Sequence, residues 1–305
     1  MGDVLGELAP VFILIAVGFA VREARIVSAE AFGQVNRFGY FVLYPAFLFG
    51  LSSSADLGGA DSQRFVLGLL LGFSAMIALA LCLRLVFRAS GPSYTSVFQG
   101  SVRWNGFVLL AAAHSLYGPS GPVLIGLAFG PLVLVVNAVC VVVLARWGEQ
   151  RVMSWRALLD QIIANPLILS CALGLTAGAL GFRDLGPISN ALHLLGAAAM
   201  PVALVCVGAG LDFRALRAAG PQVATACAMK LAIAPAVMWA AATLCGASGI
   251  AAAVAAGVGS TPTAAAGYTL SREMGGDSRL MAAIITATTL LSFITMPVAI
   301  SLAPR

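Results

Sequence analysis

Two short stretches of this sequence place polar and helix-breaking residues in the middle of apolar runs. The first is RWNG at residues 103–106, about ten residues into an apolar run at about 95–116. The second is GSTPT at residues 259–263, near the middle of a run at about 250–271. Arginine holds carboxylates through two parallel hydrogen bonds, and asparagine, serine and threonine add neutral hydrogen bonds. The chemistry that these residues offer is the binding of an anion.

Both stretches are predicted to interrupt their helices. Proline removes a backbone N–H and clashes with the preceding turn, and glycine loosens the backbone around it. The ends of a broken helix direct unpaired backbone groups and the helix dipole at a solute. A polar residue in the run at about 121–146, Asn137, either faces the same cavity or bonds a neighbouring helix. The expected substrate-binding residues are Arg103, Asn105, Gly106, Asn137, Ser260, Thr261, Pro262 and Thr263.

Each of these residues also has a purely structural interpretation. Glycine, proline, serine and threonine are common in membrane helices, where they serve in close packing and as backbone hydrogen-bond partners. A charge deep in a span is costly and usually functional, but Arg103 could instead reach the interface or pair internally. The one lysine, Lys230, lies about eight residues from a predicted helix end. We expect it to reach the membrane interface in a structural role.

The elements that must position these residues follow from composition. The chain has 305 residues, of which 60% are apolar and 10% charged. Soluble domains are about 45–50% apolar and about 25% charged, so a soluble globular protein is excluded. Because a membrane helix needs about 20 apolar residues, the sequence predicts an all-α polytopic membrane protein with ten transmembrane helices. In chain order, runs 1 to 10 lie at about 4–21, 34–51, 65–87, 95–116, 121–146, 159–180, 187–210, 222–245, 250–271 and 279–302.

The arginines predict the orientation of these helices. The net charge is +5, but the basic residues are spread between the runs, which does not indicate nucleic acid. Twelve arginines fall on one side of the predicted membrane and three on the other. Because cytoplasmic loops are rich in arginine and lysine, both termini are expected outside the cytoplasm, in a multi-pass protein of the cell membrane.

An internal repeat is indicated when the sequence is shifted by 156 residues. Gly18 then falls on Gly174 and Pro45 on Pro201. The shift maps run 1 to run 6, run 2 to run 7 and run 4 to run 9. Each unit has five spans, an odd number, so the second unit must be inverted, an arrangement typical of transporters. The predicted division is a first repeat at 1–146, a cytoplasmic linker at 147–158 and a second repeat at 159–305.

Enzymatic chemistry has no support in the sequence. There is no HExxH motif, no paired-aspartate diphosphate site and no P-loop. All twelve acidic residues lie in loops or at span ends, which disfavours a sodium or proton site built from carboxylates. We therefore expect no enzyme, no cofactor and no metal site, and transport that does not depend on sodium.

Five segments resemble the auxin efflux carrier family, whose bacterial members include carriers of malonate and other carboxylates. They are NRFGYFVLYPAFLF (36–49), FQGSVRWNGF (98–107), the run 230–235, STPTAAAGY (260–268) and GGDSRLMAAIITATTLLSFITMP (275–297). The resemblance implies a fold related to sodium/proton antiporters and bile-acid symporters. Runs 1, 2, 6 and 7 would form a scaffold that often dimerises. Runs 3–5 and 8–10 would form a moving transport domain, with runs 4 and 9 crossing at the site. The large cytosolic loop of plant auxin exporters is missing from this chain.

These observations lead to one expected function and one alternative. We expect a secondary-active or facilitative transporter of a small organic anion, a carboxylate or an auxin-like acid, that works by elevator-type alternating access. Its expected partners are the anion, the lipid bilayer and a second copy of the chain bound through the scaffold helices. The alternative is a sodium-coupled bile-acid-type symporter on the same fold.

Overall fold

The computed structural model describes residues 2–54, 59–86, 89–149, 164–182, 186–217 and 220–303, and within these ranges the regular structure is entirely helical. The helices before residue 150 are α1 (Gly2–Glu23), α2 (Ala29–Phe38), α3 (Tyr44–Ser53), α4 (Ala60–Val86), α5 (Gly91–Val102), α6 (Gly106–Ala111), α7 (Ala113–Tyr117) and α8 (Ser120–Trp147). Those after it are α9 (Pro166–Ala179), α10 (Pro187–Ala209), α11 (Phe213–Arg217), α12 (Pro221–Cys227), α13 (Ala234–Leu244), α14 (Gly249–Ser260), α15 (Ala266–Glu273) and α16 (Ser278–Leu302). Turns of π-helix join α2 to α3 (Gly39–Leu43) and α12 to α13 (Ala228–Ile233).

Among the described residues, six helical stretches are long and apolar enough to cross a membrane. They are α1, α4, α8, α10, α16 and the continuous stretch from α12 through α13. Two shorter apolar helices, α9 and α14, have 14 and 12 residues. The protein is therefore an all-helical, multi-pass membrane protein, and ten crossings stay a prediction.

One predicted boundary differs from the structure, and another lies mostly outside the described residues. The second helical stretch begins at Ala29, where the Ser28 side chain accepts a hydrogen bond from the Ala31 backbone N–H. The predicted start at about residue 34 lies several residues too far along the chain, because the first turns of α2 are polar and a count of apolar residues does not include them. The predicted linker 147–158 lies mostly outside the described residues, as do 159–163 of run 6.

Glycines let two pairs of helices approach each other closely. A Cβ added at Gly18 in α1 would overlap the Val205 carbonyl in α10, and one added at Gly174 in α9 would lie 2.6 Å from the Phe49 carbonyl oxygen in α3. Small residues at helix interfaces allow this close packing in membranes. Helix α1 therefore packs on α10, and α3 packs on α9.

The helices that carry the predicted site lie in the interior of the molecule. Residues 94–102 of α5 and 252–260 of α14 are all buried, and so are residues 281–289 of α16. A helix surrounded by lipid exposes most of its surface, as α1 and α10 do. Helices α5 and α14 are instead covered by other helices, which keeps polar groups at their ends away from lipid.

Candidate functional site

The two predicted interruptions are present, and they bind each other. Helix α5 ends at Val102 and α6 begins at Gly106, while α14 ends at Ser260 and α15 begins at Ala266. The Asn105 backbone N–H donates to the Pro262 carbonyl oxygen at 3.0 Å. We call this meeting point of residues 103–105 and 261–265 the crossover.

A side chain reinforces the crossover. The Thr263 Oγ1 hydroxyl donates to the Gly100 carbonyl oxygen at 2.7 Å, and the Thr263 backbone N–H donates to Thr288 Oγ1 at 3.2 Å. Gly100 lies in the last turns of α5, whose carbonyls lack partners within the helix. Thr263 therefore ties the second broken segment to α5 and to α16.

Local sequence explains where each helix breaks. Thr261 is extended, with φ −61° and ψ 151°, as expected for a residue before proline. Arg103 is also extended, with φ −72° and ψ 140°. A Cβ added at Gly106, the first residue of α6, would overlap the Phe129 ring. The first break thus depends on a glycine that lets the chain restart tightly against α8.

Arg103 is buried at the end of α5, with 4% of its surface exposed. Its Nε donates to Gln99 Oε1 at 3.0 Å, and its NH1 donates to Asn137 Oδ1 at 3.0 Å. The Cys140 thiol lies beside the same guanidinium. Arg103 therefore bonds inside the protein instead of reaching the interface, and both of these hydrogen-bond acceptors are neutral amide oxygens. Such oxygens satisfy hydrogen bonds, but they do not cancel a positive charge.

Gln99 connects Arg103 to the second half of the chain. Its Nε2 donates to the Ser271 Oγ in α15 at 2.9 Å, while its Oε1 accepts from Arg103. The two bonds fix the orientation of the amide, because one end must donate and the other must accept. Among the described residues, the ion pairs are Arg22–Glu23 and Arg64–Asp61, and neither involves a residue of the crossover.

The hydroxyls of Ser260 and Thr261 point back onto their own helix. Ser260 Oγ donates to the Gly257 carbonyl oxygen at 2.8 Å, and Thr261 Oγ1 donates to that of Val258 at 2.9 Å. They satisfy carbonyl groups that the end of α14 leaves unpaired. Thr261 lies in the crossover and Ser260 directly before it, and the protons of both hydroxyls are already engaged in hydrogen bonds.

The prediction that Lys230 reaches the interface is wrong. Lys230 lies in the π-helical turn before α13, with 1% of its surface exposed, and its Nζ donates to the Gly259 carbonyl oxygen at 2.9 Å. Gly259 itself lies so close to Ala234 and Pro235 that a side chain there would overlap their backbone. This packing brings α13 against the end of α14 and directs Lys230 at the last turn of α14, just before the crossover.

Three residues beside the site were not among the predicted binding residues: Gln99, Lys230 and Ser271. The spacing of four residues between Gln99 and Arg103 was a usable signal, because such pairs share one helix face. Lys230 was a usable signal too, as a charge inside an apolar run. Ser271 gave none, since its contact with Gln99 joins residues 172 positions apart.

Comparison with known proteins gives two matches. The sequence profile of the family described as "Membrane transport protein" matches residues 149–300. A protein of Rhizobium meliloti (strain 1021) named "Putative malonate transporter" is 28% identical over 314 residues, covering 97% of this chain and 94% of the relative. Both matches are to transport proteins, and they support the resemblance to auxin efflux carriers.

From these two matches, the protein is a membrane transporter. The profile match extends over α9–α16 and therefore includes the second broken segment and Lys230. The match to the relative extends over nearly the whole chain and so includes the part that carries Arg103. Both sides of the crossover thus lie in regions of detectable similarity to transport proteins.

Proposed function

We propose that the protein carries a small organic anion with a carboxylate group across the cell membrane and binds it at the crossover. The observation that carries this proposal is Arg103, a buried guanidinium held by neutral oxygens where two broken helices meet. A buried charge is costly when nothing of opposite sign balances it. A carboxylate would balance it for part of the transport cycle.

The hydrogen bonds of Arg103 are suited to exchange with a ligand. A carboxylate oxygen is a stronger acceptor for a guanidinium than an amide oxygen, and it binds the planar fork through two parallel bonds. An arriving anion would therefore compete with Gln99 and Asn137 for the same donors. The name of the Rhizobium relative, which mentions malonate, agrees with a carboxylate substrate.

The proposed architecture is an inverted repeat of two five-helix units. The contact between Gly18 and Val205 has a counterpart between Gly174 and Phe49. A shift of 156 residues relates Gly18 to Gly174 and Phe49 to Val205, so the same contact recurs with its partners exchanged between the halves.

A second pair of contacts obeys the same shift. Gly208 lies against the Ile15 carbonyl, and Ser52 contacts the Cys171 thiol. The shift relates Ile15 to Cys171 and Ser52 to Gly208. Two contact pairs in one register support a pseudo-twofold relation between the halves, as expected for two inverted units.

The proposed mechanism is an elevator movement. The scaffold would consist of α1–α3, α9 and α10, which pack closely through the glycine contacts. The transport domain would consist of α4–α8 and α12–α16, and it would carry the crossover with its bound anion past the scaffold. In this proposal both termini lie outside the cytoplasm, and the scaffold helices of two copies form a homodimer.

Substitution of Arg103 tests the proposed function. We expect Arg103→Ala to weaken malonate binding by about 1.5–3 kcal/mol, roughly 10- to 150-fold, because a charge-assisted contact is lost. We expect Arg103→Lys to bind with intermediate affinity, since lysine keeps the charge but not the planar fork. Isothermal titration of the purified variants measures both effects.

Ser101→Ala is the matched control for this experiment. Ser101 is buried on the same helix, and its hydroxyl donates to the Val97 carbonyl oxygen within α5. The Ser101→Ala variant should bind malonate with the same affinity as the wild type. If Arg103→Ala folds normally and keeps wild-type affinity for every carboxylate that the wild type binds, Arg103 has a structural role and the site lies elsewhere.

A further inference from the structure

A second buried basic residue, Lys230, binds the end of α14 two residues before the crossover. Lys230 lies on a different helix from Arg103, and its Nζ donates a hydrogen bond to a neutral backbone oxygen, that of Gly259. A lysine that serves only to anchor a helix can keep its ammonium in the interface by extending its long side chain. Lys230 instead extends inward to the end of α14.

The two cations contact opposite ends of the same broken segment. Lys230 binds Gly259, two residues before the segment 261–265. Arg103 lies against Gly267, two residues after it, because a Cβ added at Gly267 would lie 3.2 Å from Arg103 Cδ. A solute lying along the segment would therefore meet one cation at each end.

The helix ends at the crossover offset only part of this charge. The C-terminal ends of α5 and α14 both point there, and each is equivalent to roughly half a negative charge. Each end lies beside one of the cations, α5 beside Arg103 and α14 beside Lys230. Arg103 together with a protonated Lys230 carries more positive charge than two such ends offset.

We propose that Lys230 is a second anchor for the substrate and that it makes the site select anions with two carboxylates over anions with one. This inference rests on the proposed function. Arg103 holds one carboxylate through its planar fork, and the Lys230 ammonium holds the other as a point charge. A monocarboxylate of the same size leaves one of the two buried cations without a balancing charge.

The test compares malonate with malonamate, in which an amide of nearly the same size replaces one carboxylate. At about pH 7.5 both carboxyl groups of malonate are ionised. We expect the wild type to bind malonate about tenfold or more tightly than malonamate, because one charge-assisted contact separates the two ligands. We expect Lys230→Met to lower malonate affinity to near the malonamate value and to leave malonamate affinity unchanged. Lys230→Arg keeps the charge and should keep the preference.

Each contrary result has a distinct meaning. If Lys230→Met weakens both ligands equally, Lys230 only positions the end of α14, and the inference is overturned. Equal binding of malonate and malonamate by the wild type overturns it too, but leaves an anion carrier intact. That comparison needs no variant, so it decides the question even if Lys230→Met does not fold. A wild type that binds neither ligand nor any other carboxylate overturns the proposed function itself.

Discussion

The orientation of Arg103 depends on a short chain of hydrogen bonds. Gln99 accepts from Arg103 and donates to Ser271, and Asn137 accepts from the other side of the guanidinium. These bonds join α5, α8 and α15 around one charge. A binding group that is already fixed loses less conformational entropy when its ligand arrives. In the proposed site, the amides would therefore contribute to anion affinity even where a carboxylate displaces one of them.

This view predicts the effect of removing Gln99. Gln99→Leu deletes the bond to Arg103 Nε and the bond to Ser271, while keeping a side chain of similar size. We expect malonate affinity to fall by about 1 kcal/mol, roughly fivefold, which is less than for Arg103→Ala. Isothermal titration beside the Ser101→Ala control measures the change. Affinity within twofold of the wild type would show that Gln99 does not orient the arginine.

At the scale of helices, the proposed scaffold contains two similar close contacts. Gly18 on α1 and Gly174 on α9 each lie against a backbone carbonyl of the facing helix. Small residues are what allow membrane helices to approach this closely. If the two halves are repeats, the two contacts should contribute similar free energies to the stability of the fold.

Valine substitutions test that equivalence. We expect Gly18→Val and Gly174→Val to destabilise the protein by similar amounts, of the order of 1–3 kcal/mol each, because each forces two backbones apart. Thermal unfolding in detergent measures the loss. Gly6→Val is the control, since nothing lies within 4 Å of a Cβ at that position of α1. A large loss for one substitution and none for the other would argue against the repeat.

The sequence predicted the breaks because their causes are local. Pro262 favours an extended conformation at Thr261 whatever surrounds the helix. The polar stretch 103–106 indicates the other break. The sequence did not predict that α14 continues through Gly257 and Gly259. There the missing side chain serves packing, since Gly259 lies against Ala234 and Pro235.

The contacts within the site were beyond sequence reasoning for a different reason. The bond between Gln99 and Ser271 and the bond between Lys230 and Gly259 join segments that only the tertiary fold brings together. The direction of the Ser260 hydroxyl depends equally on the helix end it satisfies. Residue types and their depth in a span predict that a site exists, but not which donors remain for a ligand.

At the scale of the whole molecule, the charge of the crossover bears on ion coupling. Sodium prefers oxygen ligands and negative charge, whereas the crossover carries Arg103 and has Lys230 bound two residues before it, at Gly259. A sodium ion beside these residues would be repelled by both. We therefore expect the anion gradient, the membrane potential or protons carried on the substrate to drive transport, without sodium. The sodium-coupled alternative predicts the opposite dependence.

Exchange of labelled malonate across proteoliposomes tests the central claim most directly. Vesicles that contain the wild-type protein and unlabelled malonate should take up external radiolabelled malonate, at a rate that does not change when choline replaces sodium. Vesicles with Arg103→Ala should take up little more than protein-free vesicles, because the anion loses its main charged contact. A steep rise with sodium at fixed membrane potential would favour the symporter alternative. Uptake by Arg103→Ala equal to that of the wild type would contradict an anion site at the crossover.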